Sequence, residues 1–241
     1  MLLELSGVSK RFGAVIAADG INLSVADGEA LGIIGANGAG KSSLFNLVTG
    51  VLRPDAGTVN FADRDITGLA ARDRCRVGIG RSFQIPKPFE SLTVFENLLV
   101  ARRFGMPGGD ADATDACAAV LERTGLLPKA NIVAGRLTLL ERKRLELARA
   151  LATSPKILLL DEIAGGLTEA ECDALVTMIK SLNAEGITIV WIEHIVHALV
   201  SVVTRLAVLE FGRKIADGEP RAVMAEPQVR RSYLGIDEAA S

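Results

Sequence analysis

The sequence predicts an α/β fold: a parallel-sheet core, an antiparallel β subdomain near its start and an inserted block of helices. Three observations carry this. Apolar runs at 30–34, 156–160 and 187–192 are strand-length and rich in Ile, Leu and Val, as strands covered on both faces require. A glycine-rich loop, Gly35-Ala-Asn-Gly-Ala-Gly-Lys-Ser42, joins the first run to a helical pattern at 43–49. Between the first and second runs, from about 86 to 153, the apolar spacing is helical.

Taken in order, residues 2–34 alternate apolar and polar with turn signals at Gly7, Gly20 and Asp27-Gly28, which reads as several short antiparallel strands. Gly50 stands where a helix C-cap belongs, and Arg53-Pro-Asp-Ala-Gly57 is a turn into a strand at 58–61. Candidate helices follow at 93–104, 110–124 and 138–152, with Gly125 as a cap. After the strand at 156–160, Thr168-Glu-Ala-Glu171 is a capping box opening a helix. That helix has Cys172, Leu175, Val176, Ile179 and Leu182 on one face and is stopped by Gly186. Segments 203–210 and 214–218 predict a closing hairpin, with a short helix after Pro220. The expected division is one domain, with 1–85 and 154–241 forming the core and its β subdomain and 86–153 the helical subdomain.

The 241 residues suffice for one large core, and 49% apolar with 23% charged is an ordinary globular composition. A net charge of −2 gives no pull toward nucleic acid. The basic clusters at Arg72–Arg76 and Arg142–Arg144 are balanced by Asp73, Glu141 and Glu146, and read as solvated faces. Cys75, Cys117 and Cys172 are odd in number and widely spaced, which argues against a disulfide frame and fits a reducing cytosol. No secretion signal is read at the N-terminus. No uncharged apolar run approaches the ~18 residues of a membrane span.

The strand–loop–helix setting of the glycine-rich loop is that of a phosphate cradle. Glycines let successive backbone N–H groups converge on an anion, and the helix N-terminus adds positive potential. Gly35, Asn37, Gly38, Ala39, Gly40, Lys41, Ser42 and Ser43 are therefore candidate nucleotide-binding residues. Lys41 is placed for the β- and γ-phosphates and the Ser42 hydroxyl for Mg²⁺. Ile157-Leu-Leu-Leu-Asp161-Glu162 is an apolar strand ending in paired acids, which calls for a cation or a site. Asp161 suits a water-mediated Mg²⁺ contact and Glu162 a general base orienting water. His194 and His197 lack any Cys or carboxylate at ligand spacing to complete a zinc set.

In this order of motifs the chain resembles the ATP-binding subunits of ABC transporters over nearly its whole length. The resemblance implies a P-loop NTPase core of RecA-like type. Phe12 of Lys10-Arg-Phe-Gly13 matches the family's adenine-stacking aromatic, although turn packing alone would also place an aromatic there. Gln84 of Arg81-Ser-Phe-Gln84 is similar to the glutamine loop, a catalytic and Mg²⁺-contacting position. Ala164-Gly-Gly-Leu-Thr168 stands at the D-loop, and His194 matches the switch histidine on the γ-phosphate. Leu137-Thr-Leu-Leu-Glu141 stands where the family has Leu-Ser-Gly-Gly-Gln, which closes over ATP held by a second subunit. Thr138 keeps the hydroxyl and begins a capping box with Glu141, but bulk at Leu140 and charge at Glu141 both oppose docking on a triphosphate.

That departure predicts pairing with a different ATP-binding subunit, a heterodimer in preference to a homodimer. Arg81-Ser-Phe-Gln84, Thr93-Val-Phe-Glu-Asn-Leu98 and the ending Tyr233-Leu-Gly235 resemble the branched-chain amino acid uptake group, whose relatives also import urea, amides or aromatic acids. The resemblance implies ATP and Mg²⁺ as cofactors, and two membrane permeases and a periplasmic or extracellular solute-binding protein as partners. It places the chain peripherally on the cytoplasmic face of the inner (plasma) membrane. A soluble ABC ATPase of assembly or repair would usually carry a domain insertion or a second cassette, and a switch GTPase an Asn-Lys-x-Asp motif. Neither is found, and the absence of fused spans favours import over export.

Overall fold

The computed structural model describes residues 1–106 and 112–234. Its chain begins with two long strands, β1 (Leu3–Phe12) and β2 (Val15–Val25), paired antiparallel. With β4 (Ala56–Phe61) and β5 (Arg64–Asp65) they form a four-stranded antiparallel sheet of order β2-β1-β4-β5. The several short strands expected before residue 30 are thus two long ones. Gly7 (φ 62°) and Gly20 (φ 63°) lie within them, where the β1–β2 register shifts, so the ladder breaks locally and the strands continue.

The second sheet holds β3 (Ala30–Ile34), β6 (Ile79–Arg81), β7 (Ile157–Asp161), β8 (Thr188–Ile192), β9 (Arg205–Glu210) and β10 (Arg213–Gly218). Its order is β10-β9-β3-β8-β7-β6, parallel except for the closing β9–β10 hairpin. Both faces are covered. Leu158 and Leu160 of β7 and Trp191 of β8 enter one apolar cluster; Ile157, Leu159 and Ile192 enter the other. This is why the strands read as continuous apolar runs.

Helix α1 (Lys41–Thr49) follows β3 and ends on Gly50 at φ 76°. Next come α2 (Ala71–Arg76), α3 (Val94–Gly105), α4 (Ala113–Arg123) and α5 (Leu139–Leu151). The last three match the helices expected at 93–104, 110–124 and 138–152 to within a few residues, whereas α2 was not expected; positions 110–111 lie outside the described residues. The tail is α6 (Glu169–Ala184), α7 (Val196–Val200), α8 (Pro220–Ala225) and α9 (Pro227–Leu234). Both expected capping boxes form, at Thr138/Glu141 and Thr168/Glu171. A third closes α3 at Thr93/Glu96. No described helix is long and apolar enough to cross a membrane.

In the Arg72–Arg76 cluster, Arg72 and Arg76 are solvated as expected, but Arg74 is not. Arg74 is 1% exposed, and its guanidinium donates to the carbonyls of Leu47 (2.7 Å), Val48 (2.9 Å), Thr67 (2.9 Å) and Leu69 (3.1 Å). The end of α1 leaves carbonyls without intrahelical partners at its negative pole, and a buried cation satisfies them. Lys143, in the second basic cluster, is likewise buried.

Candidate active site

The carboxyl ends of β3, β6, β7 and β8 converge, as ligand-binding edges of open α/β sheets do. From β3 the chain enters the loop 35–40, and α1 begins with Gly40 as N-cap at φ 103° and no side chain capping it. A Cβ on Gly40 would lie 2.4 Å from the carbonyl oxygen of Ala17, and one on Gly35 2.3 Å from that of Leu209. The loop is thus pressed against two strands and left open on its outer side. There Phe12, Val15, Ile16, Ala17, the stretch 37–43 and Glu162 line a cleft of about 300 Å³.

Lys41 is 6% exposed and its ammonium donates to the Gly35 and Ala36 carbonyls at 2.7 and 3.1 Å. Burial lowers its pKa, opposed by the charges of Glu162 and Asp161. Phe12 is half exposed at the cleft mouth, with the Lys10 ammonium 5.6 Å from its ring centre.

Glu162 leaves β7 in the left-handed region (φ 46°), its N–H donating to the Ile192 carbonyl at 2.8 Å. A non-glycine residue held there is strained by about 1–3 kcal/mol, and such strain clusters at functional sites. Its two carboxylate oxygens are both engaged: Oε1 faces Nε2 of His194 at 2.8 Å, and Oε2 accepts from Nε2 of Gln84 at 2.5 Å. Residues 84, 162 and 194, far apart in sequence, thus meet as a triad of side chains. Asp161 is 4% exposed; its Oδ2 pairs with Nη2 of Arg81 at 2.8 Å, while Oδ1 is buried without a protein partner. An orphaned buried carboxylate oxygen, on a residue close enough to Lys41 at the start of α1 to act on its pKa, fits a hard divalent cation, and the next residue, Ser42, is exposed. Gln84 is turned to Glu162.

Thr138 and Leu140 do not line this cleft. They begin α5, where Leu139 lies within 3.3 Å of the place a Cβ on Gly166 would take. Glu141 carries the charge expected of it, and that charge is paired. Its carboxylate accepts from the Thr138 N–H at 3.0 Å and is ion-paired with Lys129, bonds that lower its pKa.

Sequence reasoning missed Arg81 and Glu193 as site residues. Glu193 is 1% exposed; its Oε2 accepts from the Ala164 N–H and its Oε1 from the His194 N–H, both at 3.1 Å. Burial pushes its pKa up. The signal was the one used at Asp161-Glu162, an apolar strand ending in an acid. Lys143 is buried nearby, its pKa lowered by burial and opposed by Glu193 and Glu162.

Residues 18–165 match the family model described as ABC transporter, and 213–239 that of the branched-chain amino acid ATP-binding cassette transporter. The chain is 37% identical over 249 residues to the high-affinity branched-chain amino acid transport ATP-binding protein LivG of Escherichia coli (strain K12), covering 97% of this chain and 98% of that protein. An ATP-binding cassette of an ABC transporter, solved in its ADP conformation, superposes with TM-score 0.89 at 32% identity, over 98% of this chain and 99% of that one. A dimeric cassette in a post-hydrolysis state bound to ADP and Pi superposes with TM-score 0.81 at 25% identity, over 91% and 99%.

Proposed function

The chain belongs to the ABC transporter family, and from that premise we propose that this ATP-hydrolysing subunit powers an importer of branched-chain amino acids or a related small polar solute. The observation supporting the site assignment is the meeting of Gln84, Glu162 and His194 beside the phosphate loop. The solute assignment rests on the match at 213–239 and the likeness to LivG.

In this reading Phe12 stacks the adenine, and the backbone of 35–43 with Lys41 binds the phosphates. Glu162 takes the proton of the attacking water as general base, held in place by Gln84 on one oxygen. His194, 2.8 Å from the other oxygen, would contact the γ-phosphate. Ser42 and Asp161 would hold Mg²⁺, with Gln84 turning to it when released from Glu162. The ion would supply neutralisation of the phosphate charge. No other described cluster of acids, cysteines and histidines could hold a metal.

A second cassette would supply its signature to this cleft, as the resemblance to the family implies and in keeping with a relative that is dimeric, while Thr138 and Leu140 would face the partner's ATP. The Leu140 bulk favours a heterodimer. Closure would move the helical block 86–153 against the core, and that block would carry the contact to two permeases, fed by a periplasmic or extracellular solute-binding protein. The chain would sit at the cytoplasmic face of the membrane through those permeases.

Two measurements test this. Lys41→Ala should abolish retention of Mg·ATP by the purified chain; equal retention removes the site. In the reconstituted complex, binding protein loaded with leucine should stimulate ATP hydrolysis more than binding protein offered urea or an aromatic acid. The reverse order reassigns the solute.

A further inference from the structure

We propose that Arg81 is a positioning residue for Mg²⁺: it fixes the Asp161 carboxylate by one oxygen so that the other is presented to the metal. The inference rests on the Mg·ATP reading above and deepens it.

Arg81 is the last residue of β6, beside β7 in the sheet, and its side chain is 10% exposed. Its guanidinium is gripped from three sides. Nη1 donates to Oδ1 of Asn46 on α1 at 2.6 Å, and Nη2 to Oδ2 of Asp161 at 2.8 Å. The guanidinium carbon lies 5.7 Å from the ring centre of Phe45 and 5.0 Å from that of Phe83. A planar fork between two rings has little freedom left, and lysine could not reach both oxygens from one point charge.

The consequence falls on Asp161. With Oδ2 committed to the fork, the carboxylate cannot rotate freely, and Oδ1 is left buried and unpaired. An unpaired buried carboxylate oxygen is costly unless something fills it, and a bound cation would. The same four residues set the other carboxylate. Ser82 donates its N–H to Leu159 at 2.9 Å and accepts from the Asp161 N–H at 3.4 Å, Phe83 stacks on Arg81, and Gln84 reaches Glu162. Arg81 also joins α1, which begins at the phosphate-binding Lys41, to the strand that carries the acids. A residue whose only task was to glue α1 to β7 would leave metal affinity alone when replaced; a residue that orients a ligand would not.

The test is Mn²⁺ binding to the full-length chain with ADP, followed by the loss of the free-ion electron paramagnetic resonance signal, beside ADP binding without metal. Arg81→Met should raise the Mn²⁺ dissociation constant by about 10-fold or more, the range seen when a metal ligand loses its outer partner. Metal-free ADP affinity should change much less. Arg81→Lys, which keeps charge but not the fork, should fall between. Asn46→Ala, which frees one arm, should weaken Mn²⁺ by a smaller factor in the same direction. Wild-type Mn²⁺ affinity in a folded Arg81→Met overturns the proposal, as does a loss of metal-free ADP binding as large as the loss of Mn²⁺. Should Arg81→Met not fold, wild-type metal affinity in both Arg81→Lys and Asn46→Ala overturns it equally. A wild-type chain that holds no Mn·ADP instead removes the nucleotide reading itself, and this proposal with it.

Discussion

Replacing Gly40 by Ala separates two roles of glycine in the phosphate loop. At φ 103° an alanine sits in backbone space that side-chain-bearing residues rarely occupy, which costs about 1–3 kcal/mol. Its Cβ would also stand 2.4 Å from the Ala17 carbonyl oxygen. That oxygen belongs to β2, and the surroundings are tied in place. Asp19 donates to Gly212 at 2.8 Å and Gly212 to Ala39 at 3.0 Å, so the strand cannot yield as a flexible side chain would. Relief must come from the loop itself, for a total of about 2–4 kcal/mol. In a chain of this size each kcal/mol lowers Tm by about 2–4 °C, so calorimetry should show a fall of about 5–15 °C. The natural control is Gly38→Ala, with φ 81° and nothing within 4 Å of the new methyl, which should lose only the backbone share. A displaced loop should also weaken ATP binding by about 10-fold, equivalent to 1.4 kcal/mol. If Gly40→Ala melts no lower than Gly38→Ala, the contact with β2 does not constrain the loop and the reasoning fails.

Glu162→Gln should keep ATP affinity while hydrolysis slows by about 10²-fold or more, since an amide cannot take the proton; near-normal turnover in a phosphate-release assay excludes Glu162 as the base. Leu140→Gly in the assembled complex should raise ATPase rate or cooperativity, and no change in either would show that the leucine does not weaken that site. Arg74→Met should lower stability by about 2–4 kcal/mol in urea unfolding, because the carbonyls at the end of α1 lose their donor, and a shift under about 0.5 kcal/mol would refute that. For Glu193, burial raises the folded pKa above the ordinary 4.5, so above that value the folded chain keeps a proton the unfolded chain has released. Its contribution is therefore greatest in acid and declines as pH rises through the raised pKa. The stability of wild type minus that of Glu193→Gln should fall with pH across that window, and a difference rising with pH contradicts the sign.

What was legible in the sequence was local. The glycine loop, the capping boxes at Thr138 and Thr168 and the apolar strands each depend on residues within one or two turns of one another, so spacing alone reveals them. The Arg74 guanidinium looked solvated because its partners, Leu47 and Val48, lie 27 and 26 residues back and become neighbours only when α2 packs against the end of α1. The Lys129 partner of Glu141 was not legible because it precedes it by 12 residues, across a turn that spacing does not fix. Glu193 carried a readable signal, yet its Ala164 partner, 29 residues away, is set by the sheet order. Arg81 was visible as part of a motif, but its grip on Asp161 depends on β6 pairing with β7 across an inserted block of helices.

The cleft and the start of α5 are separate surfaces, and the hydrogen bonds between them form a short route. Leu139 packs beside Gly166, and Ala164, two residues earlier, donates its N–H to Glu193. The other oxygen of Glu193 holds the His194 N–H, and the His194 ring meets Glu162. Since none of residues 137–141 lines the chain's own cleft, any nucleotide they touch would have to be held by a second chain. Pressure from that nucleotide on the surface around Thr138 and Gly166 would act on the backbone N–H of Ala164, three polar links from the base. Buried polar groups in contact do not move independently, so occupancy of one site would bear on the geometry of Glu162 in the other. On this arrangement coupling between two nucleotide sites would need no long-range mechanism: it would run through one buried glutamate that accepts from both the Ala164 and the His194 amides.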